Sequence, residues 1–191
     1  MTLQVKWDGI YRNRAVEPPR AVAVLAEFSH LLPQHGSALD LACGRGGNAL
    51  LLARHGLDTW AWDISPVAIE QLQQTARACH LTIHAEVRDV EAAVFEPGRF
   101  DVIVVSRFLA RSISDAIMLA LKPGGLLFYQ TFTREKVTSF GPNNPDFLLT
   151  EGELLSLFEP LKTLVYREEG KVGDVARGLR NEALLIGQRR P

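Results

Sequence analysis

Cysteine is scarce in this sequence: Cys43 and Cys79 are the only two. Neither stands in a C-x-x-C pair or beside a histidine at ligand spacing, so a disulfide framework is excluded and a reducing, cytoplasmic compartment is expected. There is no apolar run of the ~18 residues needed to cross a bilayer. The opening segment Met1-Thr2-Leu3-Gln4-Val5-Lys6-Trp7-Asp8 lacks the apolar stretch of a secretory signal, so neither export nor membrane association is expected. Neither sign of charge is in excess: 21 basic and 22 acidic residues leave a formal net charge of −1. No overall field draws a polyanion, and nucleic acid is not an expected partner. The five histidines, His30, His35, His55, His80 and His84, show no H-x-x-H or H-E-x-x-H spacing, and no metal site is expected. No G-x-x-x-x-G-K-[ST] occurs either, which excludes a P-loop.

What is present is an ordinary globular composition, 47% hydrophobic and 23% charged over 191 residues, the size of one domain. Residues 1–17 read as an N-terminal arm that mixes aromatic and charged side chains. Pro18-Pro19 then leads into a predicted helix from Pro19 to Leu32, with proline in its first turn. Ala38 to Ala42 is a short buried strand running into a glycine turn, followed by a helix from Gly47 to His55. Asp58 to Trp62 is a second strand, and Ser65-Pro66 an N-cap with proline at the first helical position. The helix that follows places Ala68, Ile69, Leu72, Ala76 and Cys79 on one face.

Leu81 to Val87 reads as a third strand, and Phe100 to Val105 as a nearly continuous apolar fourth, the pattern of a strand covered on both faces. Leu121-Lys122-Pro123-Gly124-Gly125 turns into a fifth strand, Leu126 to Gln130. The connection from Thr133 to Leu149 exceeds the ~2–6 residues usual in this architecture and is read as a substrate-side loop. Thr150-Glu151-Gly152-Glu153 has capping-box spacing and starts a helix through Phe158, and Lys162 to Arg167 and Glu182 to Gly187 are β-like. Together these imply an α/β, Rossmann-like, doubly wound sheet of about seven strands. It is mostly parallel with an antiparallel C-terminal strand, has helices on both faces, and occupies residues 1–191 as a single domain.

The chemistry is expected at the carboxyl end of the first strand, where a turn meets a helix N-terminus in open α/β sheets. Gly44 and Gly46 let the backbone approach a ligand, and the helix start offers unpaired N–H groups to an anion. Gly44-x-Gly46-x-x-Ala49 also fits the dinucleotide fingerprint, with Asp63 following 19 residues after Gly44. Two features disfavour that ligand. Asp40, just ahead of the glycines, suits a cationic amino group and repels a pyrophosphate. Nor does Tyr11, Tyr129 or Tyr166 have a lysine four residues on to complete a hydride-transfer site.

The run Leu39-Asp40-Leu41-Ala42-Cys43-Gly44-Arg45-Gly46-Gly47-Asn48 resembles motif I of class I S-adenosylmethionine-dependent methyltransferases, with Ala42 in place of the first glycine. Trp62-Asp63-Ile64-Ser65 resembles the end of that family's second strand, Arg88-Asp89-Val90 the segment after its third, and Pro123-Gly124-Gly125 its turn before strand five. The resemblance runs from about Leu39 to Phe132. It implies that S-adenosyl-L-methionine is the cofactor and S-adenosyl-L-homocysteine the product. It assigns the cofactor to Asp40, Ala42, Cys43, Gly44, Gly46, Asn48, Asp63, Ile64, Asp89, Val90, Ser106 and Arg107. Asp63 would bind the ribose diol, since a carboxylate accepts from both hydroxyls, while Asp89 and the Val90 N–H would hold the adenine.

More narrowly, Trp7-Asp8 with Tyr11-Arg12, Ser106-Arg107-Phe108-Leu109, and Asn144-Pro145-Asp146-Phe147-Leu148-Leu149 resemble the tellurite-resistance-protein-like branch. That branch implies a small-molecule acceptor enclosed by the arm and the loop, with Trp7, Tyr11, Arg107, Phe108, Phe132, Asn144 and Phe147 as candidate contacts. For Arg107 a substrate anion and a structural partner fit equally, and Arg111 reads as a surface residue. Ser106-Arg107-Phe108-Leu109 stands where methyltransferases of exocyclic base amines carry Asn- or Asp-Pro-Pro-aromatic, which argues against a flipped base. No general base can be named, which favours an acceptor already ionised at neutral pH, such as a thiolate or a metalloid oxyanion like tellurite. A nicotinamide-dependent oxidoreductase and a non-catalytic S-adenosylmethionine-binding protein remain the alternatives, and the oligomeric state, monomer or homodimer, is open.

Overall fold

The computed structural model describes residues 2–13 and 18–191. In chain order the elements are α1 (Leu3–Asn13), α2 (Ala23–Glu27), β1 (Ser37–Leu41), α3 (Gly47–Arg54), β2 (Asp58–Asp63), α4 (Pro66–Ala78) and β3 (His84–Val87). Then follow β4 (Phe100–Ser106), α5 (Ser114–Ala120), β5 (Leu121–Phe132), α6 (Glu153–Leu157), β6 (Lys162–Arg167) and β7 (Glu182–Gln188). The seven strands form one sheet in the order β3-β2-β1-β4-β5-β7-β6. β1 to β5 pair in parallel, and β7 runs antiparallel to both β5 and β6. Strand order reverses between β1 and β4, so a crevice opens at their carboxyl ends.

Alternation along the strands divides the core. Ala38, Val102, Val104, Phe128 and Ile186 pack with Val24, Leu25 and Leu52 on the α2–α3 side. Leu39, Leu41, Ile103, Val105 and Tyr129 pack with Ile113, Ile117, Leu154 and Phe158 on the α5–α6 side. Burial of β4 on both faces accounts for its unbroken apolar run.

Several expected boundaries shift, each for a local reason. The expected arm contains a helix, α1, and residues 14–17 of it lie outside the described residues. The helix expected from Pro19 to Leu32 is only α2 followed by a 3-10 turn, Ser29–Leu31. Its lead-in is held extended because Val22 N–H donates to Asn48 Oδ1 and Val24 N–H to Gln130 Oε1. β3 starts at His84, not Leu81, because Leu81 N–H still bonds Ala76 at the end of α4 while Leu81 and Ile83 pack against the α3–α4 core. Ser65 does cap α4, accepting from Ala68 N–H at 3.3 Å, but Cys79 is its exposed C-cap and not part of the buried face. α6 begins after Gly152, whose φ of +68° breaks the chain direction. Only half of the expected capping box forms, with Glu153 accepting from the Thr150 N–H and hydroxyl at 2.7 and 2.9 Å. α5 was not expected as an element, and β5 begins before the Pro123-Gly124-Gly125 turn, with a register shift opposite Phe100 to Val102. Among the described residues no helix is long and apolar enough to cross a membrane, and no cluster of metal-ligating side chains occurs.

Candidate functional site

β1 ends in a turn whose backbone is left-handed at Ala42 (φ +54°), Gly44 (φ +52°) and Gly46 (φ +77°). Left-handed φ costs a residue with a Cβ roughly 1–2 kcal/mol, so Ala42 bears a penalty that a glycine would not. A side chain on Gly44 would meet the Tyr11 hydroxyl at 2.9 Å, and one on Gly46 would strike Leu72 at 2.2 Å. A Cβ on Gly47 would lie 2.1 Å from the Arg20 carbonyl oxygen. These glycines are close-packing positions between the turn, α1, α4 and the segment ahead of α2.

Asp40 lies beneath this turn, fully buried, with Oδ1 accepting from Asn48 Nδ2 at 3.2 Å and Oδ2 from Ala49 N–H at 3.0 Å. Burial raises its pKa, the two hydrogen bonds lower it and nearby Asp63 raises it, leaving it at about 7. Asn48 joins four segments. Besides Asp40 it donates to Ser106 Oγ at 2.9 Å, at the end of β4, and accepts from Val22 ahead of α2. At the end of β2, Asp63 accepts from Gly44 N–H at 2.8 Å and Ser65 N–H at 2.9 Å. Its carboxyl is also raised by burial, partly offset by those bonds. Cys43 is buried, and desolvation followed by the fields of Asp40 and Asp63 pushes its thiol well up, so it is no thiolate nucleophile at neutral pH.

Above the turn opens a cavity of about 780 Å³, within the ~300–1,000 Å³ of small-molecule sites. Its floor is Ala42, Cys43, Gly44, Gly47 and Asn48. Toward β2 and β3 it is lined by Asp63, Ile64, Asp89, Val90 and Glu91, and toward β4 and β5 by Ser106, Arg107, Phe108, Phe132 and Phe140. Leu3, Trp7, Ile10 and Tyr11 of α1 cover one side, with Pro18, Pro19, Arg20 and Arg45 completing the wall. Asp89 forms a turn by accepting from Glu91 N–H at 3.1 Å.

The structure thus gathers Ala42, Cys43, Gly44, Asn48, Asp63, Ile64, Asp89, Val90, Ser106 and Arg107 around one space, together with Trp7, Tyr11, Phe108 and Phe132. Asp40 and Gly46 support the turn from behind and do not line the cavity; Asn144 and Phe147 are exposed and also lie outside its lining. Phe147 does reach α1, with Lys6 Nζ 5.9 Å from its ring. Arg20, Arg45, Glu91 and Phe140 were not expected in the site. Phe140 lies within the loop read as substrate-side, and it is placed there by Asn181, which holds residues 137–140 through its side-chain amide. No local pattern marks Asn181, which is buried at φ +62°. Arg107, left open above, has a partner: Nε donates to Glu182 Oε1 at 2.9 Å, and the guanidinium lies 5.2 Å from the Phe140 ring. Arg111 is tied to Glu153 and to the carbonyls of Asp146 and Leu148, more than a free surface residue would be.

Residues 38–125 match the family model described as "Methyltransferase domain". The matched segment runs from β1 to the Pro123-Gly124-Gly125 turn and is similar to that domain. The chain is 32% identical over 102 residues to the ubiquinone biosynthesis O-methyltransferase of Coxiella burnetii, covering 50% of itself and 43% of that protein. It therefore spans less than half the length of that curated relative. TehB from Haemophilus influenzae superposes with a TM-score of 0.72 at 21% identity, over 96% of this chain and 67% of TehB. A structure described under conversion of a disulfide bond into a thioacetal group during echinomycin biosynthesis gives 0.73 at 23%, over 99% and 93% of the two chains. At these identities both superpositions establish the fold.

Proposed function

We propose that the chain, as a single domain of residues 1–191, transfers the methyl group of S-adenosylmethionine to a small-molecule acceptor that is already anionic at neutral pH. The observation that carries this reading is how charge is distributed around the cavity. Its β2–β3 side presents the carboxylates Asp63, Asp89 and Glu91, while the β4–β5 side presents Arg107 among Phe108, Phe132 and Phe140, with Arg20 nearby. The first side suits a ribose diol and an adenine amine; the second suits an anion held against aromatic faces. Among the described residues no histidine lines the cavity, and its carboxylates stand on the β2–β3 side away from Arg107, which favours an acceptor that arrives already ionised.

Cofactor contacts are assigned to Gly44, Asp63, Ile64, Asp89 and Val90, with Ala42, Cys43, Asn48 and Ser106 beside them. Asp40 and Gly46 act through the turn: Asp40 fixes Asn48 and the Ala49 amide in the first turn of α3, and Gly46 permits contact with Leu72. Trp7, Tyr11, Phe108, Phe132 and Phe140 enclose the acceptor, with Asn144 and Phe147 in the loop outside them. Methyl transfer from a sulfonium needs no covalent enzyme intermediate. Holding nucleophile and methyl carbon in line supplies the rate, since effective molarities for oriented groups reach ~10⁵–10⁸ M.

The O-methyltransferase relative points to an oxygen nucleophile and the disulfide-to-thioacetal structure to sulfur, while a metalloid oxyanion such as tellurite comes from the branch resemblance; the missing base favours an ionised sulfur or metalloid acceptor. The test is production of S-adenosylhomocysteine across thiols, selenite, tellurite, phenols and amines. Turnover with thiols or metalloid oxyanions is expected, and turnover confined to amines would overturn the reading.

A further inference from the structure

A second recess of about 340 Å³ adjoins the main cavity and is lined by Arg20, Ala21, Val22, Ser106 and Arg107. Arg20, Ser106 and Arg107 line both spaces, so they stand at the junction of the two. We infer that this junction is a binding subsite for a singly charged oxyanion group of the acceptor, a carboxylate or a metalloid oxyanion, bordering the ground assigned to the cofactor at Ser106. The inference rests on the methyl-transfer reading above and names where its acceptor binds.

Three observations support it. The first is unspent donors. Arg20 is exposed and makes no hydrogen bond or ion pair with any described residue. Arg107 spends Nε on Glu182, while its two Nη groups make no hydrogen bond to a described residue. The Ser106 oxygen already accepts from Asn48 Nδ2, so its hydroxyl proton is left to donate. Guanidinium forks and a hydroxyl donor are what a planar or pyramidal oxyanion requires.

The second is net charge. Among the described residues no acidic side chain lines the recess. Behind it, Glu182 is buried, accepts from Arg107 and also from Gln130 Nε2 at 2.6 Å. Two guanidinium groups and one carboxylate leave a single positive charge, which matches a monoanion better than a dianion.

The third is preorganisation. Both arginines hang on backbone fixed from the interior. Arg107 sits at φ +53° with its N–H bonded to the Gln130 carbonyl at 2.8 Å, and the same Gln130 side chain accepts from Val24. Arg20 is two residues from Val22, whose N–H is held by Asn48. Asn48 therefore sets the spacing between the Arg20 segment and the Ser106–Arg107 turn, so the backbone that carries both arginines is fixed before an anion binds.

The test is calorimetric titration of the protein saturated with S-adenosylhomocysteine, at fixed ionic strength, using selenite, mercaptoacetate and 2-mercaptoethanol. Selenite or mercaptoacetate is expected to bind at least tenfold more tightly than the uncharged 2-mercaptoethanol. Whichever of the two binds more tightly identifies the source of the oxyanion. Arg20→Gln, an exposed position that folding does not depend on, and Arg107→Gln should each weaken that anion at least tenfold. Arg20→Gln should leave S-adenosylhomocysteine affinity within twofold of wild type. Anions that bind no better than 2-mercaptoethanol overturn the subsite alone. So does an Arg20→Gln variant that loses S-adenosylhomocysteine affinity as strongly as anion affinity, since the recess then serves the cofactor. A wild-type protein that binds no S-adenosylhomocysteine overturns the methyl-transfer reading and the subsite with it.

Discussion

Asp8 of α1 accepts a hydrogen bond from Ser65 Oγ, the hydroxyl that caps α4, and both residues are buried. One short contact thus ties the helix over the cavity to the turn that carries Asp63. Gln71 Nε2, donating to the Tyr11 carbonyl at 3.3 Å, is a second tie between α1 and α4.

Replacing Asp8 with Ala should release α1 while leaving the sheet intact, because a charged hydrogen bond of this kind contributes about 1.5–3 kcal/mol. Hydrogen exchange is expected to show lost protection across residues 3–13, with S-adenosylhomocysteine affinity several-fold weaker. Unchanged protection in α1 would show that its apolar packing alone holds it.

Asp40 makes stability depend on pH in an unusual direction for a carboxylate. The folded chain keeps its proton up to about pH 7, the unfolded chain only to about 3.8. The contribution of this group is therefore greatest below the unfolded value and is lost as pH rises toward 7, by roughly 4 kcal/mol at full extent. Denaturant unfolding between pH 5 and 7.5 should show stability falling more steeply in wild type than in Asp40→Asn, which cannot titrate. Equal slopes would contradict this.

Arg111 should act on the loop beyond β5. It donates to Glu153 and to the Asp146 and Leu148 carbonyls. Burial pushes the Glu153 carboxyl up, but the hydrogen bonds from Arg111 and Thr150 outweigh it and hold the pKa at about 2. The stability this confers is present above the ordinary value of 4.5 and lost as pH falls toward 2. Arg111→Ala is expected to remove most of that acid-limb loss in a circular-dichroism titration. It should also raise KM for the acceptor several-fold with kcat within twofold. A change in kcat alone would place Arg111 in the chemistry.

How much of this the sequence disclosed follows from the range of each cause. The parallel strands were legible because burial on two faces leaves continuous apolar runs such as Phe100 to Val105, and the Ser65-Pro66 cap because its chemistry is local. The glycine turn with Asp63 and Asp89 was legible because ordered spacing in a motif survives folding. Arg20 was not. Its place depends on Asn48 reaching Val22 and on the missing Cβ of Gly47, contacts across 26 and 27 residues that no periodicity encodes. The Glu182 partner of Arg107 lies 75 residues away and was hidden for the same reason. The truncated helix after Pro19 shows propensity yielding to tertiary hydrogen bonds.

The central claim is that the cavity above Gly44 holds S-adenosylmethionine with its ribose on Asp63. Calorimetric titration with S-adenosylhomocysteine tests it most directly: saturable binding by wild type is expected, weakened at least tenfold in Asp63→Ala. No binding at millimolar ligand, or equal affinity in the two proteins, would contradict it.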